Sequence, residues 1–149
     1  RKRPGEIMPV YFFDTSALVK RYHVEAGSAE VDRLFNDPEG NFVISSLMIT
    51  EFVSVFDRKM REGIITDADF RFCLSEFSKD MISSLWIIDI DRSHINKSAS
   101  LVMKHNLRTL DSLHLAVFLN LASAHPVMVT SDLSLYNAAV KEGFHAIKP

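Results

Sequence analysis

The sequence predicts an α/β fold, a three-layer α/β/α sandwich around a five-stranded parallel sheet. Three observations predict it. Short apolar runs alternate with helical patterns along the whole chain, the order expected of parallel strands joined by right-handed helical crossovers. The first run, "PVYFF" at residues 9–13, is apolar at every position, as a strand covered on both faces must be. The segment "LDSLHLAVFLNLASA", residues 110–124, is apolar nearly all round and reads as a central helix.

Taken in order, the first strand is followed by "TSALVKRYHV" and "SAEVDRLFND", two short helices separated by Gly27, and then by "NFVIS", a second strand. "SLMITEFVSVFDRKMREG" has helical period, with Ser46 as its expected cap and Gly63 as its stop. "TDADFRFCLSEFSKDMISS" repeats the pattern after Thr66, so the two form a helical hairpin over residues 46–82. "LWIIDI" is the third strand, and "RSHINKSASLVMKHN" is a helix opened by Asp91. After the central helix come "PVMVT" as a fourth strand, "LSLYNAAVKEG" as its helix and "HAIK" as a short fifth strand. No repeat, linker or low-complexity segment divides residues 9–149, which read as one domain. Residues 1–8, basic and containing Pro and Gly, lack the apolar stretch of a signal peptide and read as a tag remnant or a disordered arm.

A chain of 149 residues is long enough to bury a core without disulfides or a structural metal. Its formal charge of -2 and pI near 6.3 give no global basic footprint, so nucleic-acid contact has to come from a local patch. The single cysteine, Cys73, has neither a disulfide partner nor zinc-ligand spacing and reads as a small core residue. That usage suits a reducing compartment, and a cytoplasmic location is expected. The most apolar stretch is interrupted by Asn120 and is far shorter than the roughly 20 residues a membrane span takes, so no membrane role is expected.

Four acids stand out. Asp14 and Asp132 each fall just past the carboxyl end of an expected strand, where open parallel sheets bind their ligands. Glu51 lies on a helix leaving the second strand, flanked by apolar Met48 and Val55, and Asp111 lies in the first turn of the central helix beside Leu110 and Leu113. Taken singly, Asp14 and Asp132 are explained as helix caps and Asp111 as a complement to a helix dipole, each worth about 1 kcal/mol. Glu51 resists that explanation, because it follows the expected cap by five residues and borders a buried stripe. Carboxylates crowded together repel, and a hard divalent cation such as Mg²⁺ or Mn²⁺ is their natural neutraliser.

The segments "YFFDTSALVK", "SSLMITEF", "LRTLDSLHLA" and "VTSDLSLYNAA", in that order and spacing across residues 9–148, resemble the PIN-domain ribonucleases, and especially the VapC-type toxins of prokaryotic toxin–antitoxin pairs. The resemblance implies that Asp14, Glu51, Asp111 and Asp132 hold one or two Mg²⁺ or Mn²⁺ ions and that a hydroxyl at Ser16 or Thr130 supports them. It also implies a five-stranded parallel sheet, RNA cleavage, dimerisation, and inhibition by an antitoxin whose tail enters the crevice. On this reading Asp14 and Asp132 are direct metal ligands, Glu51 and Asp111 are further ligands or orient the attacking water, and Ser16, Thr130 and Ser131 fix the carboxylates. Arg108 and Lys20 are candidate contacts to RNA phosphates, with ordinary surface charge as the plainer reading of each.

Two features depart from the family pattern. Members often carry a basic residue after the last acid, but Leu133 and Ser134 follow Asp132, so that phosphate contact is missing or supplied elsewhere. The hairpin carries Arg58, Lys59, Arg61 and Arg71, which read equally as a solvated face. His114, one turn beyond Asp111, reads as a hydrogen-bonded core histidine before a proton shuttle. A phosphatase forming an aspartyl-phosphate would need a second Asp two residues after the first, where Ser16 stands, and a receiver domain would need an acidic pair at its first strand. The remaining rival is a non-catalytic RNA- or protein-binding module of the same fold.

Overall fold

The computed structural model describes residues 8–149, so the segment 1–8 read as a tag remnant or disordered arm falls, apart from Met8, outside the described residues. The strands are β1 (Val10–Phe13), β2 (Asn41–Ser45), β3 (Leu85–Ile88), β4 (Val127–Val129) and β5 (Ala146–Ile147). The helices are α1 (Thr15–Leu18), α2 (Ser28–Phe35), α3 (Leu47–Arg61), α4 (Asp67–Ser83), α5 (Arg92–His105), α6 (Thr109–Asn120) and α7 (Leu133–Lys141). All strand pairs are parallel, in the order β3-β2-β1-β4-β5.

The pleat sorts the strand side chains into two cores. Phe13, Phe42, Ile44, Leu85 and Val129 face α1 to α4, joining Leu18, Val31, Phe52, Phe56 and Phe77. Phe12, Val43 and Met128 face the other way, against Leu101 of α5, Leu115 to Phe118 of α6, and Leu135, Ala138 and Ala139 of α7. The sheet is therefore covered on both sides, which is why its strands carry apolar residues at consecutive positions.

Local signals set most element ends. Thr66 and Asp69 form a capping box that opens α4, and Asp91 caps α5 by accepting from the amides of Ser93 and His94. Gly63, past the end of α3, has φ 73°, a left-handed value that favours glycine. Ser46 does not act as a side-chain cap; its hydroxyl accepts from the Ile90 amide at 3.1 Å, tying the end of β2 to the chain leaving β3. The expected helix over residues 15–24 is shorter, ending at Leu18 and continuing as one 3-10 turn over Val19–Arg21. The chain then turns so that Tyr22 packs edge-on to Phe52 and Phe77, at ring centroid distances of 5.1 and 5.8 Å, and donates from its hydroxyl to Asp80 at 2.6 Å. Burial and that hydrogen bond to Asp80 push the Tyr22 phenol well above its ordinary range. The central helix also ends early, at Asn120, with Ala122–Ala124 forming a separate 3-10 turn.

Candidate active site

The strand order places a topological switch between β1 and β4: the chain leaves β1 toward β2 and β3, then crosses to β4 on the other side of β1. Helices diverge there, and a crevice opens beyond the carboxyl ends of the two strands. Asp14 is the first residue after β1, its amide donating to the Val129 carbonyl of β4 at 3.0 Å. Its side chain caps α1 by accepting from the Ser16 amide, and it also accepts from the Thr130 hydroxyl at 2.7 Å. Thr130 Oγ1 in turn accepts from the Asp132 amide at 3.0 Å, and Ser16 Oγ accepts from the Ser131 amide at 2.9 Å. Thus Ser16 and Thr130 stitch the two strand ends together around one carboxylate. Asp14 is only 3% exposed. Burial pushes its carboxyl above the usual carboxylate range, against the pull of His114 and of the hydrogen bonds from Thr130 and Ser16.

Glu51, in the second turn of α3, accepts from the Thr15 hydroxyl at 3.1 Å and pairs with His114 Nε2. The other ring nitrogen, Nδ1, lies 3.0 Å from Ser45 Oγ at the end of β2, so both nitrogens of a side chain only 1% exposed are engaged. Burial alone would lower the imidazole pKa. The hydrogen bond and charge of Glu51, together with the charges of Asp14 and Asp111, outweigh burial and hold it above its ordinary value. His114 is the hydrogen-bonded core histidine read from the sequence, and it also anchors a candidate site acid. Thr15 and Ser45 were not singled out from the sequence; a hydroxyl directly after Asp14 and another closing the apolar β2 run were the available signals.

Asp111 lies in the first turn of α6, and Asp132 caps α7 by accepting from the Leu135 amide at 2.9 Å. Arg108 spans the two, with Nε 3.0 Å from Asp111 and Nη2 3.5 Å from Asp132. Burial raises the Asp111 carboxyl, Arg108 pulls it back, and the neighbouring Asp132 charge adds to the rise. The Arg108 side chain is 80% exposed, so its hold on the two acids is of the weak, displaceable kind. Lys20 donates to the Pro149 carbonyl at 2.7 Å, and the Ser131 hydroxyl donates to the same oxygen at 3.0 Å rather than to a carboxylate.

All four predicted acids, with Ser16, Ser131, Arg108 and Lys20, line one open cleft of about 450 Å³. Thr130 lies beneath it, fully buried. Among the described residues, no three acidic, imidazole or thiol side chains stand grouped closely enough to form a ready metal-ligand set. The donor chemistry nevertheless fits a hard divalent ion: four carboxylates from four separate elements supply only oxygen, and Asp14 is buried with hydrogen-bond donors but no ion pair among the described residues.

The chain is similar in fold to several solved structures. It resembles PAE2754 from Pyrobaculum aerophilum, at 20% identity over 96% of this chain and 87% of that one, with a TM-score of 0.65. It resembles VapC20 of Mycobacterium tuberculosis, described as a sarcin-ricin loop cleaving toxin, at 13% identity over 93% and 99% of the two chains, with a TM-score of 0.69. It also resembles a chain of VapBC2 from Rickettsia felis, solved bound to a fragment of promoter DNA, at 15% identity over 93% and 97%, with a TM-score of 0.60. At these identities the likeness is one of fold. No curated protein sequence matches the chain significantly. The PIN domain family model matches residues 11–141, a span that runs from within β1 to the end of α7 and holds all four cleft acids, and the chain belongs to the PIN domain family.

Proposed function

We propose that this chain is a Mg²⁺- or Mn²⁺-dependent endoribonuclease that hydrolyses RNA phosphodiesters and acts as the toxin of a toxin–antitoxin pair, as a homodimer held in check by a cognate antitoxin. The observation that carries the reading is the convergence of Asp14, Glu51, Asp111 and Asp132 on one cleft at the switch point of the sheet. Family membership supports nuclease chemistry, and the fold neighbours that are themselves toxins or toxin–antitoxin complexes support the toxin role.

Asp14 and Asp132, at the ends of adjacent strands, are the residues that would hold the ion, with Asp111 and Glu51 beside them. A bound divalent ion supplies a water of lowered pKa and stabilises charge on the departing oxygen. The chain's own residues do the positioning. Thr130 and the Ser16 amide fix the Asp14 rotamer, and His114 and Thr15 hold Glu51 where it can orient a water. Arg108, largely exposed beside Asp111 and Asp132, would be placed to meet a phosphate at the mouth of the cleft.

Total RNA incubated with the protein and Mg²⁺ is expected to be cut at defined positions, and chelation by EDTA or the change Asp14→Asn is expected to abolish cutting. Intact cleavage by a folded Asp14→Asn protein would end the proposal. One observation favours the rival reading of a non-catalytic RNA- or protein-binding module: Arg108 and His114 already pair with Asp111, Asp132 and Glu51. Mn²⁺ titration decides between them, since a nuclease gains both thermal stability and cleavage, whereas the module gains no cleavage.

A further inference from the structure

The five cations of the helical hairpin are not alike, and Lys79 is paired with Glu76 at 2.6 Å on its own helix. Arg61 pairs with Asp57 at 2.8 Å and Arg71 with Asp67 at 2.7 Å, each one turn away on its own helix and largely exposed. These are solvated faces. Arg58 and Lys59 have no hydrogen bond or ion pair through their side chains among the described residues, and both line the acidic cleft. Of the other cations there, Arg108 is engaged by Asp111 and Asp132, and Lys20 by the Pro149 carbonyl. Arg58 and Lys59 are therefore the uncommitted positive charge of the cleft.

Their place on α3 gives this charge a direction. Glu51, Val55, Arg58 and Lys59 all line the cleft, at spacings that put them in one stripe down one face of the helix. At 1.5 Å per residue, the two cations stand about 10–12 Å along the axis from Glu51. We propose that Arg58 and Lys59 form a phosphate-binding arm that holds the backbone of a single-stranded RNA running along α3 away from the carboxylates. This rests on the nuclease reading above and names where its substrate is gripped. A chain with a net charge of -2 attracts RNA poorly as a whole, so a local pair of this kind has to do the attracting. The arginine offers a fork that matches phosphate oxygens, and the lysine offers a flexible point charge. The arm also answers the missing basic residue after Asp132, since α3 supplies cations to the same cleft.

The test measures binding of a fluorescently labelled single-stranded RNA oligonucleotide to the full chain by anisotropy, with Ca²⁺ in place of Mg²⁺, across a salt series. Arg58→Ala/Lys59→Ala is expected to weaken binding about tenfold and to lower the slope of log affinity against log salt by about 1.4, at about 0.7 per lost phosphate contact. Arg61→Ala/Arg71→Ala is expected to change neither. In Mg²⁺, the first pair should raise KM while leaving kcat at saturating RNA nearly unchanged. Arg58→Gln/Lys59→Gln repeats the measurement with more of the aliphatic stems kept, should the alanine variant lose its thermal transition. Equal affinity and slope for wild type and the Arg58/Lys59 variants, with wild type cleaving RNA, would overturn the arm alone. A wild type that neither binds nor cleaves would overturn the nuclease reading with it. Loss of binding to a labelled poly-glutamate peptide, with RNA binding intact, would assign the pair to an acidic protein partner and overturn the arm.

Discussion

The Asp14 carboxyl accepts from the Ser16 amide and the Thr130 hydroxyl while almost wholly shut off from water. Burial raises its pKa in the folded protein, so the ionised form is penalised there relative to the unfolded chain, where the group titrates near 3.9. Without a divalent ion, stability is expected to fall as pH rises from about 4 through the folded value, and to stay low above it. Asparagine caps a helix as well as aspartate does and carries no charge. Asp14→Asn is therefore expected to lose cleavage and yet melt higher than wild type in EDTA at neutral pH, by about 2–4 °C for each kcal/mol of relieved penalty. Its stabilisation by Mn²⁺ should shrink at the same time. Thermal melts with and without Mn²⁺ check both, and a lower melting point in EDTA would show that the carboxylate stabilises the fold unaided. Asp14 was legible in the sequence because a carboxylate ends an apolar run, and Glu51 because its neighbours are apolar. The links that hold Glu51 were not legible: His114 is 63 residues from Glu51 and 69 from Ser45, and no local pattern connects residues so far apart.

At the scale of elements, α3 and α4 owe their pairing to aromatic packing more than to their ends. Phe52 of α3 stacks on Phe77 of α4 with ring centroids 4.0 Å apart, and Tyr22 closes the cluster edge-on. Phe52→Ala is expected to cost about 3–5 kcal/mol. Thr66→Ala, which breaks the capping box of α4, is expected to cost about 1 kcal/mol and to leave the cleft unchanged. Urea unfolding of the two variants checks the ranking, and a cap worth as much as the ring would refute it. Caps at Thr66 and Asp91 and the left-handed Gly63 were readable as residue types, so α4, α5 and the stop of α3 were legible. Ser46 looked like another cap, but its hydroxyl is taken by the Ile90 amide of a distant segment. The short α1 escaped for the same reason, because the turn after it serves the packing of Tyr22 on another helix.

At the scale of the whole molecule, the alternation of strand and helix announced a parallel sheet, but the order β3-β2-β1-β4-β5 is set by which faces bury together, and it puts Asp14 beside Thr130 and Asp132. The layer opposite the hairpin is closed at one end by Glu142, just past α7, which accepts from Lys104 of α5 at 2.7 Å and pairs with His105 at 2.7 Å. The Lys104 and His105 hydrogen bonds hold the Glu142 carboxyl below its usual range. Its folded pKa is depressed, so its contribution is present above the ordinary glutamate value near 4.3 and is lost as pH falls through the folded value. Lys104 is mostly exposed, and solvent screening holds the contribution at neutral pH below about 1 kcal/mol. Asp14 tilts stability the other way over the neighbouring pH range, as does the buried Asp111, so the acid limb of the metal-free protein is a balance of opposed carboxyls in which Glu142 and Asp14 pull in opposite directions. Urea midpoints measured in EDTA from pH 3 to 7 are expected to flatten on the acid side in Glu142→Gln, whose amide cannot lose stability by protonation. In Asp14→Asn they are expected to steepen, because the opposing loss is gone. Both variants shifting the limb in the same direction would show that the two groups do not titrate as their surroundings dictate.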